Sequence, residues 1–263
     1  MLLLPKIKSP INLKTILITG ATSGIGEACA NLFAENGYQL IITGRRKDKL
    51  EKLADTLRSQ FNRPILALNF DISNKDACEN AIKNLPNQFK KIDVLLNNAG
   101  LAVGLNPIQE GVLSDWEAMI DINLKGLLYI TRAVAPIMTA QKSGHIVNIS
   151  SVAGKENYAN GNVYCATKHA VDSLSQTMRI DLLQHGVKVT NIAPGMVETE
   201  FSLVRFKGDE KRAKNVYVGL TPLSAHDIAE AIFWAVSRPD HVNISDIVIT
   251  PKAQANATTT IRK

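Results

Sequence analysis

The chain has 263 residues, 45% of them apolar, and a formal net charge of +6. That length and composition suit one large α/β unit with ample core, not a disordered or fibrous chain. The 30 Lys and Arg residues are dispersed, so no nucleic-acid partner is expected, and no apolar run approaches ~18 residues, so neither is a membrane span.

Residues 1–13 read as a loose N-terminal extension. Beyond it, β-rich runs at 15–19, 39–43, 65–70, 93–96, 145–150, 187–192 and 246–250 alternate with amphipathic stretches. Those stretches are 25–36, 48–60, 75–85, 116–140, 163–184 and 225–237, the first ending at Gly37, a suitable helix C-terminal glycine. Several strands are continuous apolar runs, as strands buried on both faces are. A βαβα succession of this kind makes a doubly wound parallel sheet with helices on both faces, here one domain over 14–252. Within it, 198–221 is polar, lacks a strand pattern and follows a strand end, the mark of a lid over a site. The polar tail, 253–263, reads either as disordered or as docking on a partner subunit.

The first strand runs into Thr19-Gly20-Ala21-Thr22-Ser23-Gly24-Ile25-Gly26. Glycines allow a tight turn and close approach to a diphosphate, and the helix that follows offers free N–H groups and its positive end. Gly20, Thr22, Ser23, Gly24, Ile25 and Gly26 are therefore candidate cofactor residues, against the plainer reading of a glycine-rich turn without a ligand. About 20 residues on, an acid would read a free ribose 2′-hydroxyl. Thr43-Gly44-Arg45-Arg46 stands there instead. Guanidinium groups suit a 2′-phosphate, so Arg45 and Arg46 point to NADP rather than NAD. Asp71 and Ile72, after the third strand, are placed to meet an adenine, with a helix N-cap as the competing role for Asp71. Asn98, Ala99 and Gly100, after the fourth, are small enough to let the chain pass close to the cofactor ribose.

Tyr164 and Lys168 stand one helical turn apart, on one face of a predicted helix. A lysine ammonium beside a phenol lowers a pKa that is otherwise ~10, fitting the tyrosine for proton exchange with a substrate hydroxyl or carbonyl. Both residues thus count as catalytic candidates. His145, His169 and His185 lack the paired spacing of metal ligands, and hydride chemistry with a Tyr–Lys pair needs no metal, so none is expected.

These motifs, with Ser151 and Pro194-Gly195, resemble the short-chain dehydrogenase/reductase family in order and spacing over residues 14–252. Gly44-Arg45-Arg46, Asp115-Trp116-Glu117, Gly161-Asn162-Val163-Tyr164, Thr199-Glu200-Phe201-Ser202 and His241-Val242-Asn243-Ile244 resemble one branch, the NADP-dependent 3-hydroxy acid (serine or allo-threonine) dehydrogenases. The resemblance implies a Rossmann sheet of order 3-2-1-4-5-6-7 and a homotetramer. It implies Tyr164 as general acid/base, Lys168 on the nicotinamide ribose and Ser151, rather than its neighbour Ser150, on the substrate oxygen, and it adds a cofactor-facing role to both Tyr164 and Lys168. It further implies Asn123 as holder of a relay water, with relief of a helix irregularity as a compatible role. Pro194, Gly195, Val197 and Thr199 would hold the nicotinamide carboxamide and the diphosphate.

The substrate implied is a small hydroxy acid or its semialdehyde, such as serine, allo-threonine, or 3-hydroxypropionate with malonic semialdehyde. Arg205, in the lid, is the candidate partner of its carboxylate, with a salt bridge to Glu200 or Asp209 as the competing role. A reductase of another carbonyl (a 3-oxoacyl thioester, a quinone or a steroid) would suit an apolar lid, and this one is charged. A non-catalytic NADP sensor would be marked by loss of Tyr164 or Lys168, and both are present. The short apolar start, Met1-Leu2-Leu3-Leu4-Pro5, does not fit a signal peptide, and the odd, widely spaced Cys29, Cys78 and Cys165 suit a reducing compartment. The expectation is a cytoplasmic enzyme.

Overall fold

The structure, a computed structural model, describes residues 13–263; the extension expected over 1–13 lies, save its last residue, outside them. The chain runs β1 (Thr15–Ile18), α1 (Gly24–Glu35), β2 (Gln39–Gly44), α2 (Lys47–Phe61), β3 (Ile65–Asn69), α3 (Lys75–Lys83) and β4 (Val94–Asn97). It continues through α4 (Leu113–Ile120), α5 (Leu127–Gln141), β5 (Gly144–Ile149), α6 (Asn162–Leu182) and β6 (Val187–Pro194). Two short helices, α7 (Phe201–Arg205) and α8 (Glu210–Asn215), precede α9 (Ala225–Val236) and β7 (Asp246–Ile249).

All seven strands are parallel, in the order β3-β2-β1-β4-β5-β6-β7. Strand alternation feeds two cores. Ile16 and Ile18 of β1 face α1, α2 and α9 with Phe33, Leu50 and Ile232. Leu17 points the other way, to α3, α5 and α6 with Ile82, Val134 and Val171. Each fully buried aliphatic side chain contributes about 1.5–3 kcal/mol, which is why runs such as Leu40-Ile41-Ile42 hold central strands. β1 pairs with β2 on one side and β4 on the other. Successive crossovers therefore diverge there, opening a crevice above the carboxyl ends of β1 and β4.

Three differences from the sequence reading bear on the site. The single helix expected over 116–140 is two helices joined by a π-helical turn, Asp121–Gly126. Such a turn sets aside one residue of the regular ladder and commonly marks a functional position. The lid segment folds into α7 and α8. The tail is ordered, against the first of its two expected readings, and folds back on its own chain. Ala255 N–H donates to Thr259 O at 3.0 Å, Ile261 N–H to Ala253 O at 2.8 Å and Lys263 N–H to Gly219 O at 2.9 Å. The Arg262 guanidinium also holds the carbonyls of Val218 and Val216, at 2.6 and 3.0 Å.

Candidate active site

The glycine turn leaves β1 with Gly20 and Gly24 in the left-handed region, at φ 67° and 55°, where a side chain would be strained. Gly26 answers a different demand. A Cβ there would lie 2.3 Å from Gly20 O and 2.5 Å from Asn98 Nδ2, so α1 packs this close only because the side chain is absent. Asn98 braces the turn, its amide donating to Thr19 O at 2.9 Å and Gly20 O at 3.1 Å. Thr19 Oγ1 in turn accepts the N–H groups of Asn98 and Ala99, both at 3.0 Å. Ser23 caps α1 without a side-chain bond, and Ile25 is half-buried in the first turn. Thr199 stands against the turn, 3.1 Å from where a Cβ of Gly24 would be.

At the end of β2, Arg46 reaches back over the turn. Its Nε and Nη2 donate to Thr22 Oγ1 at 3.1 and 3.0 Å, and Nη2 also to Thr22 O at 3.0 Å. Arg45 Nη1 lies 3.6 Å from Asp71 Oδ2. Asp71 does not cap α3; Asn74 does, accepting Ala77 N–H at 3.0 Å. Asp71 instead accepts both the N–H and the hydroxyl of Ser73, at 2.9 and 2.8 Å. Partial burial raises its pKa, but the Ser73 donors and Arg45 outweigh that and hold the carboxyl below its usual range. Ile72 is only 8% exposed and packs against Gly126.

Tyr164 and Lys168 are both buried on α6, with Lys168 Nζ 5.9 Å from the phenol ring centroid. Lys168 donates to Ile149 O at 2.9 Å, and burial pulls its pKa down to about 8. Tyr164 does not titrate as the bare pair suggests. Burial pushes its phenol well above the ordinary value and Tyr158 adds to that, while Arg205 and the Ser151 hydroxyl pull the other way. The lowering expected from Lys168 thus comes from Arg205 and Ser151, and burial exceeds it.

Strand alternation separates the two serines. Ser150 is buried and donates to Lys168 O at 3.0 Å, tying β5 to α6. Ser151 stays half-buried on the site side, donating to Pro194 O at 3.3 Å and accepting Ala153 N–H at 3.1 Å. Asn123 sits in the π-helical turn. Its Oδ1 accepts Leu101 N–H at 2.8 Å, and its Nδ2 donates to Leu101 O at 2.8 Å and Thr167 Oγ1 at 3.1 Å. It thereby joins the loop after β4 to α6. Gly100 stands between the two polar groups, a Cβ there lying 3.3 Å from Asn123 Oδ1 and 3.5 Å from Lys168 Nζ.

The loop after β6 brings Gly195, whose N–H donates to Ile249 O at 2.7 Å, and Val197, whose carbonyl accepts the Tyr217 hydroxyl at 2.9 Å. From there α7 closes over the catalytic tyrosine candidate. The Phe201 and Tyr164 ring centroids are 5.7 Å apart. Arg205 lies over the rings of Tyr164 and Tyr158 at 5.2 and 5.4 Å, and its Nη2 donates to the Tyr158 hydroxyl. It pairs with neither Glu200 nor Asp209: Glu200 binds Arg46 and Lys49, and Asp209 caps α8. Its Nε is buried and finds no hydrogen-bond partner among the described residues. Lys207, paired with Asp115 at 2.8 Å, pins the lid to α4. Beneath lies a small cavity lined by Val103, Asn106, Trp116, Asn162, Tyr164 and Arg205.

Residues 14–209 match the sequence profile of the short chain dehydrogenase family. The chain belongs to that family. This short-chain dehydrogenase is 48% identical to NADP-dependent 3-hydroxy acid dehydrogenase YdfG of Salmonella typhi, over 92% of its own length and 96% of that protein. It is 46% identical, over the same shares, to serine 3-dehydrogenase of Agrobacterium fabrum. Its fold superposes on the closed form of a serine dehydrogenase complexed with NADP+ with a TM-score of 0.88 and 44% identity, covering 95% of this chain and 99% of that one. Against serine dehydrogenase from Escherichia coli the TM-score is 0.78 at 40% identity, covering 92% and 99%.

Sequence reasoning missed several residues that shape the dehydrogenase's site. Tyr158 precedes α6 in an irregular loop, where no periodicity singles it out. Gln254, from the tail, is buried and accepts Met196 N–H at 2.9 Å. A Cβ on Gly195 would lie 2.2 Å from the same Gln254 oxygen, so the two close on each other. Lys49 did carry a signal: it falls one turn beyond Arg45 and Arg46.

Proposed function

We propose that the protein is an NADP-dependent oxidoreductase that transfers hydride between NADP and a small 3-hydroxy acid, of the serine, allo-threonine or 3-hydroxypropionate kind. The observation that supports this reading is Arg205 held above the Tyr164 ring with a buried Nε that finds no partner among the described residues, a cation that would meet the carboxylate of a substrate bound at Tyr164. A dinucleotide phosphate suits the residues present: a turn cleared of side chains at Gly20, Gly24 and Gly26, the open N-terminus of α1, and three cations, Arg45 and Arg46 just past β2 and Lys49 in the first turn of α2. Thr22, Ser23, Ile25 and Thr199 would line the diphosphate, Asp71 and Ile72 the adenine, and Asn98, Ala99, Gly100, Pro194, Gly195 and Val197 the nicotinamide half.

Bound NADP supplies or accepts the hydride. Tyr164 Oη takes the substrate hydroxyl proton in oxidation and returns it in reduction. Ser151 Oγ donates to the same substrate oxygen as charge develops on it. Lys168 would hold the ribose hydroxyls of the cofactor, and burial weakens its grip on its own proton, so it can pass one on. Asn123 spends both amide protons on Leu101 and Thr167, leaving one lone pair of Oδ1 for a relay water.

The decisive assay is spectrophotometric NADP+ reduction with serine, allo-threonine, 3-hydroxypropionate, a neutral alcohol and a steroid, beside a Tyr164→Phe control. Activity confined to the alcohol or the steroid would defeat the substrate reading, and full activity in the control the assignment of Tyr164. Apolar Leu128, Ile180 and Leu183 stand exposed on α5 and at the end of α6, which supports a homotetramer. The three cysteines are unpaired, in keeping with a cytoplasmic setting.

A further inference from the structure

Glu200 immediately precedes α7, the helix that carries Phe201 and Arg205 over Tyr164. Its carboxylate turns away from the catalytic centre. Oε2 accepts Arg46 Nη1 at 2.7 Å and Oε1 accepts Lys49 Nζ at 3.1 Å. Those partners come from the end of β2 and the first turn of α2, 154 and 151 positions away in the chain. The rest of the Arg46 guanidinium is committed to Thr22, in the glycine turn. A single carboxylate therefore joins the lid to two of the cations at the adenosine end of the cofactor cleft. Arg46 and Lys49 in turn hold Glu200 below its usual carboxylate range, so it is ionised at neutral pH.

We infer that Glu200 is a specificity-determining residue, a lid carboxylate that competes with the cofactor 2′-phosphate for Arg46 and Lys49. The inference rests on the reading of Arg46 as a 2′-phosphate ligand. A phosphate monoester is nearly a dianion and recruits the same donors by the same charge-assisted bonds. While Glu200 keeps them, the phosphate meets a nearby negative charge and a guanidinium already partly engaged. A cofactor with a free 2′-hydroxyl meets no such opposition. Glu200 thus narrows the preference for NADP over NAD that the cations create. By linkage, occupancy of those cations by the 2′-phosphate loosens the latch that holds α7 down.

The test is equilibrium binding of NADP+ and NAD+ to wild type, Glu200→Gln and Arg46→Ala, by calorimetry at low salt, together with trypsin cleavage of the lid in the unliganded enzyme. Glu200→Gln should tighten NADP+ roughly three- to tenfold, the scale of removing one charge beside a phosphate at a solvent-exposed site. It should leave NAD+ within about twofold, lose most of the gain in high salt, and speed lid cleavage. NADP+ affinity that is unchanged or weaker in Glu200→Gln overturns the competition. Arg46→Ala separates this from the parent reading: it should weaken NADP+ alone, and an unaltered NADP+ affinity there would instead remove Arg46 from the cofactor site.

Discussion

Replacing Arg205 by Ala removes two things at once, and the structure separates them. The first is a donor set for a substrate carboxylate. A hydrogen bond to a charged group contributes about 1.5–3 kcal/mol, and each ~1.4 kcal/mol is tenfold in rate, so kcat/KM for a 3-hydroxy acid should fall roughly 10- to 100-fold. A neutral alcohol lacks that contact and should lose little through it. The second is a cation 5.2 Å from the Tyr164 ring centroid that lowers the phenol pKa. A positive charge favours phenolate, so its removal raises the pKa further. Oxidation needs the phenolate, hence the rising limb of the kcat/KM profile, where rate climbs as the phenol loses its proton, should move to higher pH for every substrate. The assay is a pH series from about 7 to 10 with serine and a neutral alcohol in parallel. Raising the pH should restore the alcohol rate but not the serine rate. Equal losses for both substrates across the whole series would refute a role for Arg205 in carboxylate binding, and an unmoved rising limb would refute its influence on Tyr164.

Gly26→Ala should destabilise the protein by about 1–3 kcal/mol, because the new Cβ would meet the Gly20 carbonyl at 2.3 Å, and should weaken NADP+ binding; thermal unfolding and calorimetry read both. Arg45→Asp places an acid at the ribose and should shift the NADP-to-NAD ratio of kcat/KM toward NAD, whereas an unchanged ratio would take Arg45 out of cofactor choice. Arg262→Ala frees the carbonyls of Val216 and Val218 and should raise trypsin cleavage within 205–214 several-fold, with global unfolding moved little.

The parallel sheet with helices on both faces was legible because short apolar runs alternate with amphipathic stretches, while the strand order came from the family resemblance of the ordered motifs. Tyr164 and Lys168 were legible because their relation is local, a single helical turn. Strand alternation says that only one of Ser150 and Ser151 reaches the site, and the resemblance supplied the choice of Ser151; in the structure Ser150 donates to Lys168 O while Ser151 stays half-buried. What stayed hidden is non-local or depends on burial. Glu200 and Arg46 sit far apart in sequence, and no spacing rule joins them. The sequence reading took the Tyr–Lys pair as a pKa-lowering device, yet a pair of neighbours reveals nothing about how much water surrounds them. Once α7 and Tyr158 cover the phenol, desolvation outweighs the charges nearby. The tail was opaque for a related reason: its polar composition fits a disordered end as well as it fits a strap whose backbone bonds supply the contacts.

The lid is held unequally along its length, and that decides which part must move for a substrate to enter. At the start of α7 the restraints are side-chain ion pairs, Glu200 with Arg46 and Lys49, all about half exposed. Just beyond α7, Lys207 pairs with Asp115. The half-exposed pairs at Glu200 contribute about 0–1 kcal/mol each and weaken with salt, while Asp115 is the more buried member of its pair. Beyond α8 the restraints are of another kind. The carbonyls of Val216, Val218 and Gly219 are held by the tail, and Leu223 N–H donates to Met196 O at 2.9 Å. Between the two helices lie Lys207 and Gly208, both left-handed, at φ 53° and 91°. A non-glycine residue in that region carries about 1–2 kcal/mol of strain, which extension of the backbone would relieve. α7 is also tied at its middle and its end: Ser202 Oγ and the Tyr217 hydroxyl share a hydrogen bond at 2.7 Å, and Gly104 N–H donates to Arg205 O at 3.0 Å, so lifting Arg205 and Phe201 off Tyr164 requires these bonds to break as well as the exposed ion pairs.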